Sequence, residues 1–183
     1  MYLARHVREG RNFVLKVIKL LGMPQKERDA CRNEVLLMQR LQHPNIVAYK
    51  DSFFAKDSLC IVMTYCDGGD LAARLAAAKA QLFKEDQIMH WFVQIALAIH
   101  YMHEKNVLHR DIKTQNIFLL GNGRLVLGDL GISKVLDGTM QFASTQIGAR
   151  GGGRRRLVVV APLRRGSTLT PPRPPARQAR RTT

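Results

Sequence analysis

His109-Arg110-Asp111-Ile112-Lys113-Thr114-Gln115-Asn116 packs six strongly polar or ionisable side chains into eight residues. Apolar runs flank it: Val107-Leu108 before, Ile117 to Leu120 after, and Leu125 to Leu127 ahead of a second polar cluster, Asp129-Leu130-Gly131. Runs this short, bounded by turn residues, read as strands rather than helices. Each polar cluster is therefore expected on a loop beside a short strand, with one aspartate in each.

Upstream, Glu85 to His103 has helical period, and the stripe Ile88, Phe92, Ile95, Ile99 and Met102 is expected to be buried. Asp67-Gly68-Gly69 predicts a turn, and Asp70 is placed to cap the alanine-rich helix after it. Ile46 to Lys50 and Ser58 to Thr64 read as strands joined by a polar turn at Lys56-Asp57, and His43-Pro44-Asn45 ends a preceding helix. That helix opens at Pro24 and runs to about Leu41; Val35, Met38 and Leu41 recur at helical spacing, and Glu34 shares the stripe of Met38. Asn12 to Leu20 alternates as a strand sandwiched between layers and sets Lys16 among apolar neighbours. Strands around one helix, then helices with short hairpins, make an α+β fold of two lobes with the reactive residues between them.

The chain has 183 residues, 46% of them hydrophobic, which suffices for a real core. Its formal charge is +15, but ten arginines and no Asp or Glu lie from Arg150 to the end, so the remaining +5 is ordinary. The three cysteines, Cys31, Cys60 and Cys66, lack metal-ligand spacing and read as reduced thiols. No apolar run is long enough for a membrane span or a signal segment, so a soluble intracellular protein is expected. Two domains of behaviour follow: residues 1–148 as a folded, partial catalytic domain, and 149–183 as an Arg/Pro/Gly-rich tail expected to be disordered, apart from the apolar island Leu157 to Val160.

His109 to Asn116 matches the protein-kinase catalytic-loop pattern H-R-D-x-x-x-x-N at every fixed position. Thirteen residues after Asn116, Asp129-Leu130-Gly131 stands where a metal-binding D-F-G triplet is expected. Val14-Leu15-Lys16 occupies the place of V-A-I-K, and Glu34 is the natural partner of Lys16. With Ile61 to Leu71 (IVMTYCDGGDL), His43-Pro44-Asn45-Ile46-Val47 and Trp91-Phe92-Val93-Gln94-Ile95, the chain resembles the NIMA-related serine/threonine kinases over about residues 2 to 148.

The resemblance implies ATP-dependent phosphoryl transfer to Ser/Thr hydroxyls of protein substrates, with ATP and Mg²⁺. Lys16, held by Glu34, is expected on the α- and β-phosphates, and Asp111 on the proton of the substrate hydroxyl. Asn116 and Asp129 are expected to hold Mg²⁺, and Lys113 to contact the transferred phosphate. The backbone of Thr64 and Cys66 would bond the adenine edge, with Met63 behind it and Val14 and Phe118 sandwiching the ring. Thr145 resembles an activation-loop phosphosite, with Arg110 as its phosphate partner. By the same analogy the setting is cytoplasmic, with cytoskeletal or ciliary association.

Departures from the family pattern carry expectations too. No glycine-rich loop precedes Lys16, because Tyr2-Leu3-Ala4-Arg5 already reads as the second strand; ATP affinity is expected to fall. Thr64 and Leu130 differ from the usual residues, and after Gly148 the pattern is lost. A second expectation is thus a kinase-derived module that binds nucleotide or partners without transfer. A third is electrostatic, nonspecific nucleic-acid binding through the arginines; the tail lacks interleaved aromatics, so specific recognition is not expected.

Overall fold

Alternation along Asn12–Lys19 (β2) gives one strand two working faces. Phe13 and Leu15 meet Ala4, Cys60 and Val62 on one side, and Val14 and Ile18 meet the main core on the other. The computed structural model describes residues 1–79, 81–128 and 157–162. Within them β2 pairs with Tyr2–His6 (β1) on one flank and Ser58–Thr64 (β4) on the other; Tyr49–Ala55 (β3) lies beyond β4, and Leu157–Pro162 (β7) beyond β1. The sheet runs β3-β4-β2-β1-β7 with every neighbouring pair antiparallel.

Gln25–Arg40 (α1) follows Pro24 as expected and buries Cys31, Glu34, Val35 and Met38. These apolar residues pack with Leu59, Ile61 and Met63 of β4 in one core. The strand predicted at Ile46 to Lys50 begins later, at Tyr49, and extends to Ala55. Ile46 and Val47 are drawn instead to the other lobe: Ile46 bridges Leu127, and Val47 donates its backbone N–H to Leu127 at 2.8 Å. The expected turn follows β3, with Lys56 at φ 50°.

Leu71–Ala78 (α2) is capped by Asp70, whose Oδ1 accepts from the Ala73 N–H at 2.8 Å. Glu85–Glu104 (α3) corrects the predicted buried stripe. Trp91, Gln94, Ala98 and Met102 are buried and Ile95 and Ile99 flank them, whereas Ile88 and Phe92 are exposed at 50% and 61%. The helix is apolar on two sides, so period alone could not choose between them. Val107 is buried and Leu108 exposed. Ile117–Leu119 (β5) and Leu125–Leu127 (β6) form the expected antiparallel hairpin.

The apolar island set apart from the rest of the tail, Leu157 to Val160, lies in a six-residue strand, β7, on the sheet edge. The rest of 149–183 lies outside the described residues, so its expected disorder has no structural counterpart here.

Candidate active site

The loop from His109 to Asn116 is shaped by hydrogen bonds that its own residue types supply. Buried His109 sets its Nε2 3.0 Å from the Gly128 carbonyl, and its Nδ1 faces the Asp111 N–H at 3.4 Å. One tautomer satisfies both contacts, with the proton on Nε2. Arg110 takes φ 62°, a left-handed conformation rarely adopted by a side-chain-bearing residue. A turn of 3₁₀ helix at Thr114–Asn116, closed by the Asn116 N–H on the Lys113 carbonyl at 2.9 Å, returns the chain to β5.

Asp111 is the focus. Its Oδ2 accepts from Lys113 Nζ at 2.7 Å and from Asn116 Nδ2 at 2.9 Å. Asn116, 1% exposed, also donates Nδ2 to the Asp111 backbone carbonyl at 2.8 Å. One amide hydrogen thus holds the Asp111 carboxylate and the other its backbone carbonyl, which leaves Oδ1 as the amide's hard oxygen donor, the type that Mg²⁺ takes. The Asn116 carbonyl accepts from the Gly128 N–H at 2.9 Å, so Gly128 is held between Asn116 and His109. A Cβ on Gly128 would stand 2.8 Å from Val47 Cγ2 and 2.9 Å from Phe118 Cε2, a space only glycine fits. Asp129, next in sequence, lies outside the described residues, as do Leu130 and Thr145.

Lys16 sits on the β2 face turned toward α1, opposite Ile61 in the strand register. Glu34 is buried on α1 at 4% exposure. Both lie within electrostatic reach of Cys31, whose thiol is pushed up by burial and by Glu34 and Glu27, and pulled back by Lys16. The fold therefore brings the predicted lysine and glutamate into electrostatic reach of one thiol, Cys31.

The predicted nucleotide-edge residues follow β4. Met63 is buried, opposite Val14 on β2 and Tyr49 on β3. Thr64 donates its backbone N–H to the Ala48 carbonyl at 3.0 Å, so its carbonyl is the group it can offer a ligand. Burial and then Asp67 push the Cys66 thiol up to about 12, which keeps it protonated and unreactive. Phe118 is half-buried on β5 and bridges Asp70. Gly68 and Gly69 exchange backbone hydrogen bonds with Leu119 at 3.0 and 2.8 Å, tying this segment to the β5–β6 hairpin.

One group escaped the sequence reading as a site element. Buried Asn45 donates Nδ2 to Gln94 Oε1 at 2.9 Å and to the Leu125 carbonyl at 2.8 Å, and Gln94 Oε1 also accepts from the Leu125 N–H at 2.8 Å. Leu127 donates to the Asn45 carbonyl at 2.8 Å, so this network anchors the hairpin on which Gly128 ends. The signal available was a polar residue inside an apolar stripe at Gln94. Among the described residues no group of three or more His, Cys, Asp or Glu is arranged to hold a metal, and no helix is long and apolar enough to cross a membrane.

A family profile described as the protein kinase domain matches residues 1–151. The chain is 51% identical over 146 residues to Serine/threonine-protein kinase Nek1 of Mus musculus, covering 80% of this chain and 12% of that protein. It is 48% identical over 148 residues to Serine/threonine-protein kinase Nek5 of Homo sapiens, covering 80% of this chain and 21% of that protein. Against Serine/threonine-protein kinase Nek4 of Mus musculus the identity is 48% over 147 residues, covering 80% of this chain and 19% of that protein. The chain thus spans between 12% and 21% of the length of these curated relatives.

Proposed function

The chain belongs to the protein kinase family, in its NIMA-related branch, and from that premise we propose that it transfers a phosphoryl group from ATP to serine or threonine hydroxyls of proteins. The observation that carries the reading is the Asp111 carboxylate, clamped by Lys113 Nζ and Asn116 Nδ2 on a loop pinned to Gly128. Phosphoryl transfer asks the protein for positioning and charge neutralisation more than for covalent chemistry. Asp111 orients the substrate hydroxyl and receives its proton, and Lys113, already at Asp111, bears positive charge toward the transferred group. Lys16, steadied by Glu34, binds the α- and β-phosphates. Asn116 Oδ1 and the Asp129 carboxylate are the residues that would hold Mg²⁺, which when bound supplies positive charge against phosphate oxygens.

The Thr64 carbonyl and Cys66 N–H address the adenine edge, with Met63 behind it and Val14 and Phe118 on its faces. Thr145 is proposed as a regulatory phosphosite paired with Arg110, and the setting as cytoplasmic. Residues 1–148 are proposed as the folded unit, with 149–183 as a basic extension.

The test is radiolabelled transfer from ATP with Mg²⁺ to a serine-rich protein, by the full chain beside Asp111→Asn, with nucleotide binding read in parallel as a thermal shift. Removing a general base costs on the order of 10²–10⁴ in rate, so the variant should lose transfer while keeping the thermal shift. A nucleotide-dependent shift without transfer in the unaltered chain would instead support the binding-module reading. Neither shift nor transfer would refute both.

A further inference from the structure

We propose that the β1 edge of the sheet is a strand-docking site and that its occupant is the chain's own segment Leu157–Pro162, a built-in donor strand. Three observations carry this. First, β7 pairs antiparallel along the whole of β1: Tyr2 with Pro162, Leu3 with Ala161, Ala4 with Val159, Arg5 with Val158 and His6 with Leu157, the register shifting between Leu3 and Ala4. Second, Leu157 joins the outer apolar cluster of Ala4, Leu15, Cys60 and Val62, so the docking also adds side-chain burial. Third, the segment reads as a strand made to stop. Three β-branched valines are fenced by Arg154 to Arg156 on one side and Pro162 on the other, within a stretch otherwise rich in Arg, Gly and Pro.

The physical need is plain. An uncovered β1 would present unpaired N–H and C=O groups beside Leu3 and Ala4, which are 4% and 0% exposed with β7 in place. An edge accepts one strand, so β7 excludes any other extended segment from β1. Tyr2 pairs with Leu15 on one side and Pro162 on the other, which sets the end of the donor strand level with the residue before Lys16.

Two experiments on the full chain test it. Directly opposed residues in antiparallel strands lie within disulfide reach. Arg5→Cys/Val158→Cys should therefore close an intramolecular disulfide under mild oxidation, seen as a cross-linked tryptic pair from a monomer, while the out-of-register Arg5→Cys/Val159→Cys should do so far less. In the Val158→Pro/Val159→Pro variant one of the two lost N–H groups must have faced β1. Hydrogen exchange should then lose protection at Tyr2–His6 while β2 and β4 keep theirs. Cross-links solely between chains, equal cross-linking in both cysteine variants, or unchanged exchange at Tyr2–His6 would overturn the proposal. Should the proline variant fail to fold, the cysteine pair decides alone.

Discussion

Asp111 shows how much a single carboxylate can be governed by sequence neighbours. Lys113 is two residues away and Asn116 five, and both reach the same oxygen because the 3₁₀ turn folds them back over it. The left-handed backbone of Arg110 costs about 1–3 kcal/mol in general, and such strain persists where surrounding contacts over-determine it. Here His109 and Asn116 provide those contacts by gripping Gly128 from both sides. His43 offers a test at the same scale. Its ring stacks on Tyr101 with centroids 5.1 Å apart, its Nδ1 accepts from the Asn45 N–H at 3.1 Å, and burial lowers its pKa from 6.5. A lowered histidine pKa means that the unfolded chain binds the proton more readily, so stability is held above the unfolded pKa and lost as pH falls through the folded one. Acidification from about pH 7 to about pH 5 should therefore lower the thermal midpoint, and by less in His43→Gln than in the unaltered chain. Equal acid losses in calorimetry would exclude His43 as the source.

Among elements, the β5–β6 hairpin has the least of its own to stand on, with three residues in each strand. Its position comes from Asn45 and Gln94, which hold Leu125 and Leu127 from a loop and a helix distant in sequence. Removing one partner leaves buried polar groups unsatisfied, at about 1–3 kcal/mol. Asn45→Ala should therefore destabilise the chain by about that amount in urea unfolding, and weaken transfer beyond the stability loss because Gly128 ends the hairpin. An unfolding curve identical to that of the unaltered chain would show the network to be energetically idle. Element type was legible in the sequence wherever one period dominated: β2, α1, the Asp70 cap and the hairpin all stand where patterning predicts. For β3 the type was legible and the bounds were not, since Tyr49–Ala55 carries Lys50, Asp51 and Ser52 and lies at the sheet edge, where polar residues cost little. For α3 the helix was legible and its buried face was not, because two apolar sides give two acceptable faces.

Across the whole molecule, the unburied side of α3 is the main liability. Ile88, Met89, Phe92, Val93 and Leu97 are between 47% and 61% exposed on one helix, the kind of surface that drives association. Ile88→Gln/Phe92→Gln should reduce concentration-dependent self-association in light scattering, while stability stays within about 0.5 kcal/mol, as for surface positions in general. A cooperative stability loss would mean that those side chains are buried in solution. The sequence by itself determined the order of strands and helices, the α+β class and the identity of Asp111, Lys113 and Asn116 as one cluster, because each rests on period or on spacing within a few residues. Only the tertiary structure decided which side of α3 is covered, that Lys16 and Glu34 both lie in reach of Cys31, that Asn45 supports the β5–β6 hairpin, and that a segment from the arginine-rich tail extends the sheet past β1. Those outcomes depend on contacts between residues far apart in the chain. Local patterning limits such contacts but does not select them, since the selection is made by which surfaces can be desolvated together.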